Sequence, residues 1–116
     1  MSTRSYIGIL EEGNKVKYIY CHFDGYPSHV GRILFNYYHS DEIINNLINL
    51  GSFSSLKNTL LEMKEECYGD DPFSIEPFDE WRTDDGINYL YLWKAGKWWI
   101  IDSTSETELT EEIINE

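Results

Sequence analysis

The pattern of apolar and polar positions begins with two short alternating stretches that favour β-strands. Residues 5–10 and 15–22 are rich in Ile, Val and Tyr, and a four-residue link separates them. That link ends in Gly13 and Asn14, which tolerate a positive φ, so an antiparallel hairpin is the expected connection. Gly8 inside the first strand indicates close approach by another backbone or a large ring.

A second hairpin is predicted near the C-terminus. Residues 87–93 and 98–102 are both rich in apolar side chains, and they flank the turn-like run Lys94-Ala95-Gly96-Lys97. Residues 89–93 are apolar on both faces of the predicted strand. That pattern is typical of a central strand that is covered on each side.

Helical spacing replaces alternation between the two hairpins. Pro27 suits the first position of a helix, and it is followed by apolar residues at positions i, i+3, i+4 and i+7. These residues are Val30, Ile33, Leu34 and Tyr37. The spacing predicts a first helix with one buried stripe.

Further helices are predicted from capping residues and apolar stripes. Ser40 is the expected N-cap of a second helix and Gly51 its C′ residue, with an apolar stripe at Ile43, Ile44, Leu47 and Ile48. Ser55 is the expected cap of a third helix that runs to about residue 67, with Leu56, Leu60 and Met63 inward. A short acidic helix is predicted at 110–116.

Residues 73–86 are predicted to form an irregular surface loop. The segment is acidic, contains Pro77 and directly follows Pro72, and its large apolar residues would pin it to the core. The order ββ–ααα–ββ–α then predicts a single α+β domain over residues 1–116. We expect an antiparallel sheet built from two hairpins, with two to three helices packed mainly on one face.

Composition is typical of a folded, water-soluble protein. Of the 116 residues, 41% are hydrophobic and 16% aromatic, which is too apolar for a disordered acidic tail. No apolar run approaches the roughly 20 residues that span a bilayer, and the N-terminus lacks a signal-peptide pattern. A cytoplasmic location is therefore expected, with Cys21 and Cys67 as reduced thiols.

The net charge of −12 is concentrated in the C-terminal half. Residues 1–61 carry five acids and five bases, whereas residues 62–116 carry sixteen acids and four bases. Such a field repels nucleic acid and anionic membranes, and it attracts basic protein surfaces. The alternative explanation is that the acidity only keeps a small protein soluble.

Acidic pairs along the predicted loop are the first candidate binding site. Carboxylates spaced along a chain mimic a phosphate backbone and fit a groove lined by Arg and Lys, while interleaved aromatics provide apolar anchors. An ordinary solvated loop is the alternative. The predicted partner-binding residues are Asp70, Asp71, Phe73, Phe78, Asp79, Glu80, Trp81, Asp84 and Asp85.

The second candidate is the segment 20–29, called the corner, where the predicted second strand turns into the first helix. Cys21 and His22 are adjacent on a strand, so their side chains project to opposite faces and are poor partners for one metal ion. No metal, cofactor or catalytic residue is therefore predicted. One His beside one Cys in an electronegative protein is weak support for an activated nucleophile.

A ligand pocket is the remaining functional interpretation of the corner. Aromatic rings there would stack a nucleobase, histidines would donate hydrogen bonds, and two arginines would attract a phosphate. The alternative is a structural corner whose aromatics fill the seam between sheet and helix. The predicted ligand-binding residues are Arg4, Tyr20, His22, Asp24, Tyr26, His29 and Arg32.

Three pieces of the sequence carry a resemblance. They are the opening seven residues, the run Tyr20-Cys21-His22-Phe23-Asp24-Gly25-Tyr26-Pro27 with Val30-Gly31 after it, and the pair Trp98-Trp99. Together they resemble a family of small acidic proteins carried by bacteriophages and prophages. The resemblance implies a phage accessory protein, a group that includes anti-CRISPR proteins and other counter-defence inhibitors. It implies no catalytic residues.

The function expected from sequence is that of a non-enzymatic, anti-CRISPR-like inhibitor in the host cytoplasm. It would bind a basic, nucleic-acid-handling bacterial defence protein through its acidic C-terminal half, with no direct contact to nucleic acid or membrane. The alternative is a binding protein for a nucleotide signal at the corner. A structural role in the virion is the third and weakest hypothesis.

Overall fold

A computed structural model describes residues 3–69, 71–82, 86–102 and 105–115, and these form an α+β fold. The strands are β1 (Ser5–Glu11), β2 (Lys15–Cys21), β3 (Ser74–Pro77), β4 (Tyr89–Lys94), β5 (Lys97–Ile101) and β6 (Glu106–Glu108). The α-helices are α1 (Arg32–Tyr37), α2 (Asp41–Asn49), α3 (Leu60–Met63) and α4 (Glu111–Ile114). A π-helical turn (Pro27–Gly31) precedes α1, and a 3₁₀ turn (Phe78–Glu80) follows β3.

The six strands form one mixed sheet in the order β3-β2-β1-β4-β5-β6. Both predicted hairpins are present, but β1 pairs with β4 in parallel, with Ile7 opposite Tyr91. The prediction of a purely antiparallel sheet made from two hairpins is therefore wrong. Each hairpin contributes its first strand to the centre, and these two strands, β1 and β4, have the most buried residues.

The hairpin turn and the close approach at Gly8 have clear local causes. Gly13 and Asn14 have φ values of 80° and 58°, as the predicted turn requires. A Cβ atom at Gly8 would lie 2.7 Å from Cγ1 of Val16. It would also lie 3.2 Å from the backbone carbonyl O of Lys17, so β2 approaches Gly8 closely with both side chain and backbone.

The helices pack on one face of the sheet, as predicted. Residues 7 and 9 of β1 and 91 and 93 of β4 contribute to one continuous core with the buried residues of the helices. These helical residues are Leu34, Ile44, Leu47, Ile48, Met63 and Ile114. No helix in the described parts of the chain is long and apolar enough to cross a bilayer.

The opposite face, called the outer face, is covered by the segment that joins β3 to β4. Trp81 is only 1% exposed and packs with Val16, Leu90 and Leu92. The segment predicted as an irregular loop therefore begins with edge strand β3 and continues as a cover for the sheet. The short strands β3 and β6 were not predicted, since both lie in polar, acidic stretches.

The ends of the second helix were predicted accurately, whereas those of the third were not. α2 has the predicted ends, because Oγ of Ser40 accepts from the backbone N of Ile43 and Gly51 has a φ of 88°. The predicted third helix is too long. It begins after Thr59, whose side chain accepts from the backbone N of Glu62. Ser55 is not its cap, because the chain just before it is extended along β2, where Phe53 N donates to the carbonyl of Tyr20.

Candidate functional site

The candidate site lies where β2 changes its neighbour at the edge of the sheet. β3 pairs with β2 from Lys15 to Tyr18, whereas residues 52–54 run beside β2 from Tyr20 onward. Where β3 gives way to residues 52–54 beside β2, the backbone N of Tyr20 donates to Oγ of Ser52 at 3.1 Å. A cavity of about 210 Å³ opens at this junction.

Three tyrosines of the outer face line this cavity, which is called the tyrosine cavity. The ring centroids of Tyr6 and Tyr18 are 4.7 Å apart, and the ring planes are tilted by 51°. The ring centroids of Tyr6 and Tyr20 are 6.3 Å apart, and their ring planes are nearly perpendicular, at 70°. Asp71, Ser52 and Ser74 line the cavity with polar groups.

The three tyrosines belong to a longer aromatic row on the outer face. At one end Tyr18 contacts the buried ring of Trp81, with centroids 5.6 Å apart. At the other end Tyr20 contacts His22, with its hydroxyl 2.6 Å from Nδ1 of the imidazole, and His22 contacts Phe23. Phe23 is 42% exposed, so the row runs from the core to solvent.

Opposite charges lie at the two ends of the cavity. At one end the hydroxyl of Tyr18 donates to Oε2 of Glu76 at 2.7 Å. Desolvation and this hydrogen bond raise the pKa of Tyr18. Desolvation also raises the pKa of Tyr20, although the nearby charge of Arg4 lowers it. Both phenols are therefore neutral near pH 7, with the Glu76 carboxylate beside Tyr18 and the Arg4 guanidinium acting on Tyr20.

Exposed side chains continue from the cavity along β3 and its flanks. Phe73 and Ile75 are 36% and 52% exposed, and Nζ of Lys17 lies 4.2 Å from the ring centroid of Phe73. The acidic pairs predicted from sequence contribute three carboxylates to the described residues, and all three are exposed: Asp71, Asp79 and Glu80. We call the set Asp71, Phe73, Ile75, Asp79 and Glu80 the acidic edge.

Other residues predicted to bind a partner are placed differently. Trp81 lies in the core, because it fills the outer face between β2 and β4, so it cannot serve as an exposed anchor. Phe78 is half-buried, with the charged ends of Arg82 and Lys94 within 6 Å of its ring centroid. Asp70, Asp84 and Asp85 lie outside the described residues.

An apolar groove between α2 and α3 adjoins the acidic edge and was not predicted. It has a volume of about 460 Å³, and Leu61 on its wall is 75% exposed. Asn49, which also lines it, accepts from Nζ of Lys17 at 2.7 Å, and Lys17 lies over Phe73. The signal in the sequence was the pair Leu60-Leu61, because adjacent residues on a helix do not both face the core.

Most of the corner has a structural role. The buried hydroxyl of Tyr91 donates to the carbonyl of Gly25 at 2.6 Å. Asp24 has a φ of 57°, and its carbonyl accepts from the backbone N of Val30. Tyr26 donates weakly to the carboxylate of Asp24, and its ring contacts that of His29.

The seven predicted ligand residues are therefore divided among three places. Arg4, Tyr20 and His22 lie along the aromatic row, while Asp24, Tyr26 and His29 stay at the corner. Arg32 points elsewhere, because its guanidinium donates to the carbonyl of Ile114 and to Oδ1 of Asn115, both at 3.2 Å. It holds the end of α4 against α1.

The cysteine of the corner is not set up for nucleophilic chemistry. Cys21 is fully buried, and its Sγ donates to the carbonyl of Phe23 at 3.4 Å. Desolvation raises the pKa of the thiol to about 12, so the reactive thiolate is scarce near pH 7. Within the described ranges, no three His, Cys, Asp or Glu side chains are grouped as metal ligands.

Comparisons with known proteins give no relative from which a site could be transferred. No protein-family model, no curated protein and no solved structure matches the chain significantly. The function is therefore inferred from the tyrosine cavity, the acidic edge and their charges.

Proposed function

We propose that this protein is a non-enzymatic binding protein that attaches to a basic protein surface through its acidic edge. The observation that carries the proposal is the arrangement along β3. Exposed carboxylates lie before and after the strand, and two large apolar side chains, Phe73 and Ile75, are exposed between them. An apolar centre with a charged rim is the usual composition of a protein interface.

The position of β3 in the sheet also favours partner binding. β3 is the terminal strand of the sheet order, so its outer backbone edge can pair with an extended segment of another chain. The α2–α3 groove extends the apolar surface past Lys17 and Asn49. Together these features offer a partner both backbone and side-chain contacts.

Three of the four cations of the C-terminal half have partners within the protein. Lys94 pairs with Glu106 and Lys97 with Glu108, both on β6. Arg82 donates to backbone carbonyls of the segment that covers the outer face. Among the described residues, Asp71, Asp79 and Glu80 form no salt bridge, so their negative charges can steer a basic partner.

The family resemblance supplies the biological setting of the proposal. A phage accessory protein with this surface would act as a counter-defence inhibitor in the host cell. Its carboxylates would occupy the Arg- and Lys-lined groove with which a bacterial defence protein holds nucleic acid. The partner is thus expected to lose nucleic-acid binding when the inhibitor is attached.

The experiment compares two variants with equal charge changes, using poly-L-arginine as the basic probe. One variant carries Asp71→Asn, Asp79→Asn and Glu80→Gln, and the control carries Glu42→Gln, Glu111→Gln and Glu112→Gln. We expect the edge variant to lose about 10-fold more affinity than the control, because each exposed ion pair contributes up to about 1 kcal/mol. Calorimetric titration measures both.

Salt dependence gives the second readout of the same experiment. The Debye length falls from about 10 Å at 0.1 M to about 3 Å at 1 M ionic strength, so binding of the unmodified protein should weaken strongly. Equal losses in the edge variant and its control, or affinity that does not respond to salt, would contradict the proposal.

Nucleotide binding is a second candidate function because of one observation at the exposed end of the aromatic row, near His22 and Phe23. The charge of Arg4 acts on Tyr20, whose neighbours in the row are His22 and the exposed Phe23, with their rings edge to face. A base stacked on Phe23 would bring a phosphate toward Arg4.

A thermal-shift panel of cyclic and linear nucleotides tests this candidate, since a ligand of the folded state raises the melting temperature. A shift that Arg4→Gln and Phe23→Ala each abolish would support it. Absence of a shift with every nucleotide in the panel would rule the candidate out.

A further inference from the structure

We infer that the tyrosine cavity receives a guanidinium group, supplied by an arginine side chain of the partner that the acidic edge binds. The inference deepens the proposed function and rests on it. It assigns the chemistry of one contact that the exposed carboxylates alone do not specify.

The geometry of the rings fits a planar cation. The rings of Tyr6 and Tyr20 are nearly perpendicular, at 70°, with centroids 6.3 Å apart. They therefore form two adjoining walls, and the ring centroid of Tyr18 lies 4.7 Å from that of Tyr6. A cation near such rings is attracted by their π-systems, and arginine also stacks on them through its flat guanidinium. The raised pKa values of Tyr18 and Tyr20 keep the phenols neutral.

Polar groups around the cavity match the donors of a guanidinium. Asp71, Ser52 and Ser74 are among the residues that line the cavity, and each has a side chain that can accept hydrogen bonds. Glu76, which accepts from Tyr18, adds a second negative charge nearby. A guanidinium has five N–H donors and no acceptor, so a wall of acceptors suits it.

The volume of the cavity and the charges around it limit which chemical group can bind there. A volume of about 210 Å³ is below the roughly 300 Å³ at which pockets for drug-sized ligands begin, and it suits a single side chain. The charge of Arg4 acts on Tyr20, so the bound cation is expected at the other end of the cavity, beside Tyr18 and Glu76. The Glu76 carboxylate disfavours a phosphate at that end.

The test uses a small probe, so that it does not depend on any partner protein. Nα-acetyl-arginine methylamide is titrated into the protein and followed by NMR, with the citrulline analogue as a neutral control of the same shape. We expect saturable perturbations of Tyr6, Tyr18 and Tyr20, and weaker binding of the citrulline analogue by about 2- to 30-fold.

Two matched substitutions locate the binding. Asp71→Asn and Tyr6→Leu should each weaken binding of the arginine probe several-fold, whereas Glu42→Gln, which removes the same charge outside the acidic edge, should leave it unchanged. Asp71 is exposed, so its substitution keeps the fold intact even if Tyr6→Leu does not. Equal affinity for the citrulline analogue, or equal losses in the Asp71 and Glu42 variants, would overturn the inference.

The result is separable from that of the proposed function. If the arginine probe binds the cavity but the edge variant and its charge-matched control bind poly-L-arginine equally, the proposed function fails and the cavity assignment stands alone. If poly-L-arginine discriminates between those variants and the small probe leaves the three tyrosines unperturbed, the cavity assignment fails.

Discussion

The corner and the acidic edge use their polar and aromatic residues in opposite ways. At the corner, Cys21 is buried, Gly25 accepts from Tyr91, and the carbonyl of Asp24 holds the first turn after Pro27. Along the acidic edge, Phe73 and Ile75 remain exposed between carboxylates. The corner is richer in reactive residue types, but the edge has more side chains that a partner can reach.

This difference shows why a concentration of His, Cys and Asp does not by itself indicate a binding site. A strand that turns sharply into a helix needs internal hydrogen-bond partners, and polar residue types supply them. A binding surface needs side chains that stay exposed when the fold is complete. The predictions below separate the two roles, in decreasing order of expected effect.

The largest effect on stability is expected at Trp81, one of the residues predicted from sequence to anchor a partner. Trp81→Ala should lower the free energy of unfolding by about 3–5 kcal/mol, because it removes a ring that fills the outer face. Phe73→Ala should cost less than about 1 kcal/mol, since its ring is exposed and contacts a surface lysine. Urea denaturation measures both. Similar losses would mean that Phe73 is also part of the core.

A smaller effect is expected from one hydroxyl at the corner. Tyr91→Phe leaves the buried carbonyl of Gly25 without its side-chain donor and should cost about 1–3 kcal/mol. The matched control is Tyr37→Phe, on a side chain that is 49% exposed, where the change should stay within about 0.5 kcal/mol. Equal stability of the two variants in urea would contradict a structural role for the corner.

The corner should also make the protein sensitive to alkali. Burial raises the pKa of Cys21 from its ordinary 9.0 to about 12, so below pH 9 both states keep the thiol proton. As the pH rises from 9 toward 12, the unfolded state loses that proton first, and the folded state loses up to about 1.4 kcal/mol per pH unit.

Cys21→Ala removes the titrating thiol and keeps the buried tyrosines. Urea denaturation at pH 8 and pH 10 should show a greater loss of stability for the unmodified protein than for the variant. The same pH dependence in both proteins would mean that the thiol is accessible to solvent in the folded state.

Much of the fold follows from local patterns in the sequence. The turn residues Gly13 and Asn14 fixed the first hairpin, and Ser40 with Gly51 fixed the ends of α2, because these signals act through neighbouring backbone groups. The parallel pairing of β1 with β4 was missed. It depends on the sheet burying its two most apolar strands side by side, which is a long-range preference.

The candidate site was harder to predict than the fold for the same reason. Tyr18 and Asp71 line one cavity although 53 positions separate them, and nothing in the sequence near either residue indicates the other. β3 was not recognised in the sequence because it contains Pro77 and Glu76, residue types that natural proteins place on edge strands. Trp81 was assigned to the surface because it lies in an acidic stretch, but its burial depends on the distant strands β2 and β4.

The central claim is that partners bind the acidic edge and not the corner. Hydrogen exchange of the full chain with and without poly-L-arginine, read residue by residue, tests it most directly. We predict added protection across residues 71–80 and at the strand positions of Tyr18 and Tyr20, lost when the carboxylates of the acidic edge are neutralised. Protection confined to residues 22–29, with residues 71–80 unchanged, would contradict the claim.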